Sequence, residues 1–140
     1  MAKKQVKVGV LAGGGPPPGY QWNVYVLELA FDEAIKAFSP GQYQHLVLQV
    51  QELARELQPS HSRTVDVDAI EDFYELKERG GVLGAVNARV FFGIDSVGRA
   101  IVVLGAINKQ NNGPTPLGDK VRMRRRWRKY RNGDYGQTSG

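Results

Sequence analysis

Three runs rich in β-branched and aromatic residues follow one another closely between residues 73 and 107. They are Phe73-Tyr74-Glu75-Leu76-Lys77, residues 88–94 and residues 99–107, and the last is the most apolar stretch of the chain. Gly80-Gly81-Val82-Leu83-Gly84 lies between the first two, and Asp95-Ser96-Val97-Gly98 separates the second from the third. Segments this short can join strands only as hairpins, because a parallel pair needs a crossover of a dozen residues or more. The spacing therefore predicts an antiparallel meander. Its last strand, residues 99–107, is apolar enough to be central and covered on both faces.

Upstream, residues 5–12 alternate in part and read as a strand, followed by Gly13-Gly14-Gly15-Pro16-Pro17-Pro18-Gly19. That segment is a turn or linker. A phosphate loop is excluded there, because three prolines remove the N–H groups that would cradle a phosphate and no Gly-Lys-Ser/Thr follows. Residues 22–29 read as a second strand. Phe31, Ala34, Ile35 and Phe38 then share one face of a short helix. Ser39-Pro40-Gly41 breaks it, and Pro40 suits the first turn of a new helix. In that helix Tyr43, Leu46, Val47, Val50, Leu53, Ala54 and Leu57 recur at spacings of three and four. Residues 60–72 read as a loop with a brief strand near 65–67. A last helix is expected over 117–131, with Met123, Trp127 and Tyr130 on one side. The fold class is α+β: an antiparallel sheet of a three- to four-stranded meander plus an N-terminal strand, two helices packed on one face, and a basic C-terminal helix. One domain is expected over 1–140, with 1–21 as an extension and 132–140 as a flexible tail.

Composition removes several chemistries. The chain of 140 residues has no cysteine and two histidines, His45 and His61. Disulfides, thiolate metal sites and cysteine nucleophiles are excluded, and a metal site or cofactor is not expected. No apolar run approaches the ~20 residues of a membrane span, and the start lacks the apolar stretch of a signal peptide, so a cytoplasmic location is expected. His45 reads as a boundary residue of the second helix and His61 as a solvated loop residue.

Charge is the informative term. The net charge is +5, yet residues 1–119 carry 11 basic and 13 acidic residues. Eight basic residues crowd into 120–131 with no acid among them. Such a run is too dense to be balanced by pairing within the helix, which points to a polyanionic partner. Arg122, Arg124, Arg125, Arg126, Arg128 and Lys129 are the candidate nucleic-acid-binding residues. A second set of cations comes from the meander: Lys77 and Arg79 end one strand, Arg89 begins the next, and Lys109 ends the third. Cations gathered on one sheet face can hold a phosphodiester and stabilise charge that develops during its cleavage. A set of separately solvated strand-end charges is the alternative.

The strand Tyr-Glu-Leu-Lys (74–77), the strand Arg-Val-Phe-Phe (89–92), the apolar strand ending in Asn-Lys-Gln (108–110) and the Pro-Thr-Pro of 114–116 resemble, in order and spacing, the RelE superfamily of bacterial toxins, and its HigB-like branch most closely. The resemblance spans about residues 22–130. It implies a compact α+β fold and a metal-independent endoribonuclease that cuts messenger RNA, usually on the ribosome. It also implies neutralisation by a small antitoxin protein. By position, Lys77, Arg89 and Lys109 match the family's catalytic cations, and Arg79, a fourth candidate, lies where a further basic residue is common. Gln110 departs from the family's second lysine, and the segment 80–87 is longer than the family requires. Two other readings stand beside it: a nucleic-acid-binding module without catalysis, and a basic protein that docks onto an acidic protein partner.

Overall fold

The computed structural model describes residues 5–7, 18–62, 64–78, 87–109, 114–135 and 138–139. Its strands are β1 (Gln5–Lys7), β2 (Asn23–Leu27), β3 (Asp66–Ala69), β4 (Tyr74–Glu78), β5 (Ala88–Asp95), β6 (Ala100–Asn108) and β7 (Thr138–Ser139). Its helices are α1 (Glu28–Ala37), α2 (Pro40–Arg55) and α3 (Leu117–Arg131). The strands form one sheet in the order β3-β4-β5-β6-β2-β1-β7. The expected meander is the antiparallel run β3 to β6, and β6 is central. The sheet is mixed rather than wholly antiparallel, because β2 pairs with β6 in parallel and β7 pairs with β1 in parallel.

The helix pair follows from local chemistry. Helix α2 opens on a capping box, with the Ser39 hydroxyl accepting from the Gln42 amide and the Gln42 side chain accepting from the Ser39 amide at 2.9 Å. Pro40 sits in its first turn. Helix α1 begins at Glu28, directly after β2, so the strand expected over 22–29 is two residues shorter at that end and the helix starts three residues earlier than Phe31. Helix α2 ends at Arg55, and Leu57, counted with its apolar stripe, is exposed beyond it.

Residues opposed across a ladder point to the same face, and residues alternate faces along a strand. One face carries Leu76, Val90 and Ala106; it meets α1 and α2 around an apolar cavity lined in part by Ala30, Tyr43 and Leu46. The other face carries Glu75, Lys77, Arg89, Phe91 and Gly105. Helix α3 packs there. A Cβ at Gly93 would collide with the Trp127 ring and one at Gly105 with Met123, so two missing side chains let the helix sit close to the sheet. Register shifts between Phe91 and Phe92: Phe91 opposes Gly105 while Phe92 opposes Val103, which leaves Leu104 as the extra residue of a bulge.

Part of the stretch 132–140 is engaged with the sheet. Tyr135 is buried and Thr138–Ser139 pairs with β1. Burial raises the Tyr135 phenol above its ordinary pKa. The expected strand over 5–12 is described only at Gln5–Lys7; its remainder, the Gly/Pro segment before Pro18, Arg79, Gln110 and most of 80–87 lie outside the described residues.

Candidate nucleic-acid interface

The register sets the site out as two rows across the sheet. Asp66 on β3 opposes Lys77 on β4, which opposes Arg89 on β5, which opposes Ile107 on β6. One row along, Asp68 opposes Glu75, which opposes Phe91. Lys109 follows Ile107 at the next position but one, and its amide donates to the Asn87 carbonyl at 2.8 Å, so it continues the same face. Lys77, Arg89 and Lys109 are thus brought to one face of the sheet. Thr115, just before α3, reaches the same place.

The surroundings of these cations differ from a row of solvated charges. Arg89 is 2% exposed. Its Nε lies 3.2 Å from Glu75 Oε1, and its Nη1 donates to the Ala88 carbonyl at 3.1 Å and to the Asn87 side chain. Glu75 is buried as well and accepts from the Thr115 hydroxyl at 2.6 Å. Arg89 therefore belongs to the folded interior, not to a peripheral strand start. Lys77 pairs with Asp68 on the outer strand β3. Lys109 is buried. On this face the described cations Lys77, Arg89 and Lys109 meet as many carboxylates, Asp66, Asp68 and Glu75. Sequence reasoning missed those carboxylates. Glu75 stands inside the Tyr-Glu-Leu-Lys motif, and Asp66 and Asp68 alternate along β3, so the period-2 pattern was the signal that could have found them.

Helix α3 shows a similar division. Arg126 is buried: Nη1 and Nη2 donate to the two oxygens of Glu33 at 2.9 and 2.8 Å, and Nη1 also donates to the Leu104 carbonyl at 2.8 Å. Arg122 lies 2.7 Å from Asp119 and 3.3 Å from Glu33. Arg124 forks onto Glu71, with Nε 2.6 Å from Oε1, and Arg131 reaches Asp72 at 2.8 Å. The hydrogen bond from Arg124 holds the Glu71 carboxyl below the usual carboxylate range. Among the described residues, pairing within the helix is confined to Arg122 and Asp119, and the other acids come from α1 and from the turn before β4. Arg125, Arg128 and Lys129 remain exposed, at spacings of three and four, with no acidic partner among the described residues.

Both histidines stand apart from these surfaces. His45 Nε2 is 3.3 Å from Glu78, which also accepts from Gln49, and Glu78 faces α2. His61 Nδ1 is 3.0 Å from its neighbour Ser60. Among the described residues no group of three or more His, Asp or Glu could hold a metal, and no helix is long and apolar enough to cross a membrane.

In structure the chain is similar to a chain of the toxin–antitoxin complex RelBE2 from Mycobacterium tuberculosis, at 18% identity over 64% of this chain and 98% of that one, with a TM-score of 0.38. No protein-family model matches the sequence, and no curated protein does.

Proposed function

We propose that the chain is a RelE- and HigB-like toxin that cleaves messenger RNA, acts in association with the ribosome, and is neutralised by a small antitoxin protein. The observation that carries the reading is the sharing of one sheet face by Lys77, Arg89 and Lys109, beside Thr115. In this reading the ribose 2′-OH attacks the adjacent phosphorus, the 2′-oxygen–phosphorus bond forms, and the 5′-oxygen leaves with a proton. Lys77 and Lys109 stabilise the charge that builds on the phosphate, and Arg89, pinned by Glu75 and Asn87, contributes a fixed positive charge beneath it. Arg79 is proposed as a rim cation on the strength of the sequence resemblance. Such charge stabilisation is worth about 3 kcal/mol per donor, or roughly a hundredfold in rate. The α3 residues are proposed as a docking surface for RNA phosphates, led by the exposed Arg125, Arg128 and Lys129.

Induced expression in a bacterium tests the reading, with cell growth and messenger RNA integrity followed together. Growth arrest with RNA cleavage is expected, and both should be lost in Lys77→Gln at equal soluble protein. A parent chain that neither arrests growth nor cuts RNA, with or without ribosomes, refutes it. The exposure of three unpaired cations on α3 favours a second reading, a nucleic-acid-binding module without catalysis. In that case RNA binds with a steep salt dependence and remains intact.

A further inference from the structure

Lys77 and Arg89 are held by carboxylates of the chain itself, and the two ion pairs are not equivalent. Arg89 and Glu75 have side chains 2% and 6% exposed, and Glu75 is additionally fixed by Thr115. Removing the carboxylate from such a pair would leave an uncompensated buried charge, which is strongly unfavourable. An incoming phosphate cannot profitably displace it. The other pair lies at the margin of the sheet. Lys77 is 15% exposed and Asp68 is 53% exposed on β3, the outermost strand on that side. The Asp68 carboxylate, half exposed at the sheet margin, loses little on returning to water, so it is readily exchanged for another anion.

We propose that Asp68 is an internal competitor for the phosphate seat on Lys77: it occupies the ammonium in the resting protein and swings aside when a phosphodiester enters. The proposal rests on the RNA-directed reading above and assigns to the edge strand β3 a regulatory part in it. Phosphate-bearing RNA is the occupant, because Lys77 presents a single point charge that an oxygen anion of any geometry can satisfy, while the locked Arg89 supplies fixed positive charge beside it. The apparent affinity of the site is then lower than that of its cations alone, by the cost of releasing Asp68. The Lys77–Asp68 pair acts as an exchangeable plug and the Arg89–Glu75 pair as a permanent part of the floor.

The experiment measures binding of a short fluorescein-labelled single-stranded RNA by anisotropy, at several salt concentrations, to the full chain and four variants. A pair whose carboxylate is half exposed is worth about 1 kcal/mol, so Asp68→Asn should bind RNA about two- to fivefold more tightly than the parent. Its salt dependence should steepen by up to about 0.7 in slope, one further phosphate contact on a single strand. Lys77→Gln should bind more weakly, and Asp68→Asn combined with Lys77→Gln should match Lys77→Gln alone. Asp32→Asn, which makes the same charge change on an exposed position of α1, should bind as the parent does. Asp68 is half exposed, so thermal unfolding of the Asn variant should match the parent and report a folded protein. An affinity of Asp68→Asn equal to or weaker than the parent, while Lys77→Gln weakens binding, overturns the competitor and leaves the RNA-directed reading in place. A gain that persists in the Lys77→Gln background, or appears equally in Asp32→Asn, also overturns it, because the effect would be one of net charge. Binding indifferent to Lys77→Gln as well would remove both the competitor and the site.

Discussion

Trp127 and Gly93 form a matched pair whose energetics can be read by a double-mutant cycle. The Trp127 indole lies where a side chain at Gly93 would otherwise sit, stacks on Tyr130 at 5.6 Å and 7°, and carries the Arg131 guanidinium 5.2 Å above its ring. It is 4% exposed. Trp127→Ala removes a buried indole from the contact between α3 and the sheet, and should cost about 3–5 kcal/mol. A domain of ordinary stability, roughly 5–15 kcal/mol, survives that loss and remains measurable. Gly93→Ala alone drives a methyl group into the indole and should cost about 1–3 kcal/mol. With Trp127 already removed, the same methyl group enters vacated space, and a strand alanine is about 0.5–1 kcal/mol better than a strand glycine. Gly93→Ala should therefore change sign in the Trp127→Ala background, giving a coupling of about 1.5–4 kcal/mol. Urea unfolding followed by far-UV circular dichroism measures all four corners, with constant slopes as the check on two-state behaviour. Costs that simply add would show that the indole does not rest on Gly93, and with that the close seating of α3 would fall.

Arg89→Ala strips the buried Glu75 of its counterion and should destabilise the fold by about 3–5 kcal/mol, read as a lowered urea midpoint, so loss of toxicity in that variant has to be judged against soluble protein. Neutralising Arg125, Arg128 and Lys129 together should flatten the salt slope of single-stranded RNA binding by about 0.7 for each phosphate that is no longer engaged, whereas neutralising the carboxylate-held Arg124 and Arg131 should leave that slope nearly unchanged; equal effects would refute the division of α3. The depressed Glu71 pKa has a definite sign: its contribution to stability is present above the ordinary carboxylate value, about 4.3, and disappears as pH falls through the lower folded value. The melting temperatures of the parent and Glu71→Gln should accordingly differ near neutral pH and converge in acid, and a constant gap would refute the Arg124 contact. Burial and the 2.8 Å hydrogen bond to Asp95 raise the Tyr130 phenol, so a spectrophotometric titration should show it ionising above the ordinary tyrosine range, and Asp95→Asn should bring it down.

How much of this was legible in the sequence depended on the range of the interaction. Helix α2 and strand β6 were readable because their apolar periods are long and their boundaries carry a serine–proline start or a turn. The start of α1 was not, because its N-terminus is Leu27, with no side-chain cap, and Glu28-Leu29 extend an apolar run that scans as strand. The basic run of α3 was visible, but its neutralisation was not. Glu33 and Arg126 are 93 residues apart, and Glu71 and Arg124 are 53 apart, so no local spacing rule connects them. Lys77 and Arg89 could be placed near one hairpin from strand order alone. The burial of Arg89 could not, because it requires Glu75 beside it and Thr115 delivered from just before the last helix.

The parallel pairing of β2 with β6 also governs when the sheet can form. Val26 lies beside Val103, and everything from α1 to β5 intervenes between them. The meander β3 to β6 can form from neighbouring segments, but the seam that joins it to β2 closes a loop spanning more than half the chain. Loop closure of that length must be met before the seam returns any stabilisation, so folding is expected to be slow for a protein of this size. On a translating ribosome the apolar faces of β2, α1 and α2 emerge first and wait for a strand that has not yet been synthesised. Pulse-labelled hydrogen exchange during refolding should find the amides bonded across the β2–β6 seam protected after those of the β4–β5 hairpin; protection of that seam before the hairpin would reverse the order. β2 can pair with β1 as soon as both are made, but its seam to the meander closes only when β6 arrives.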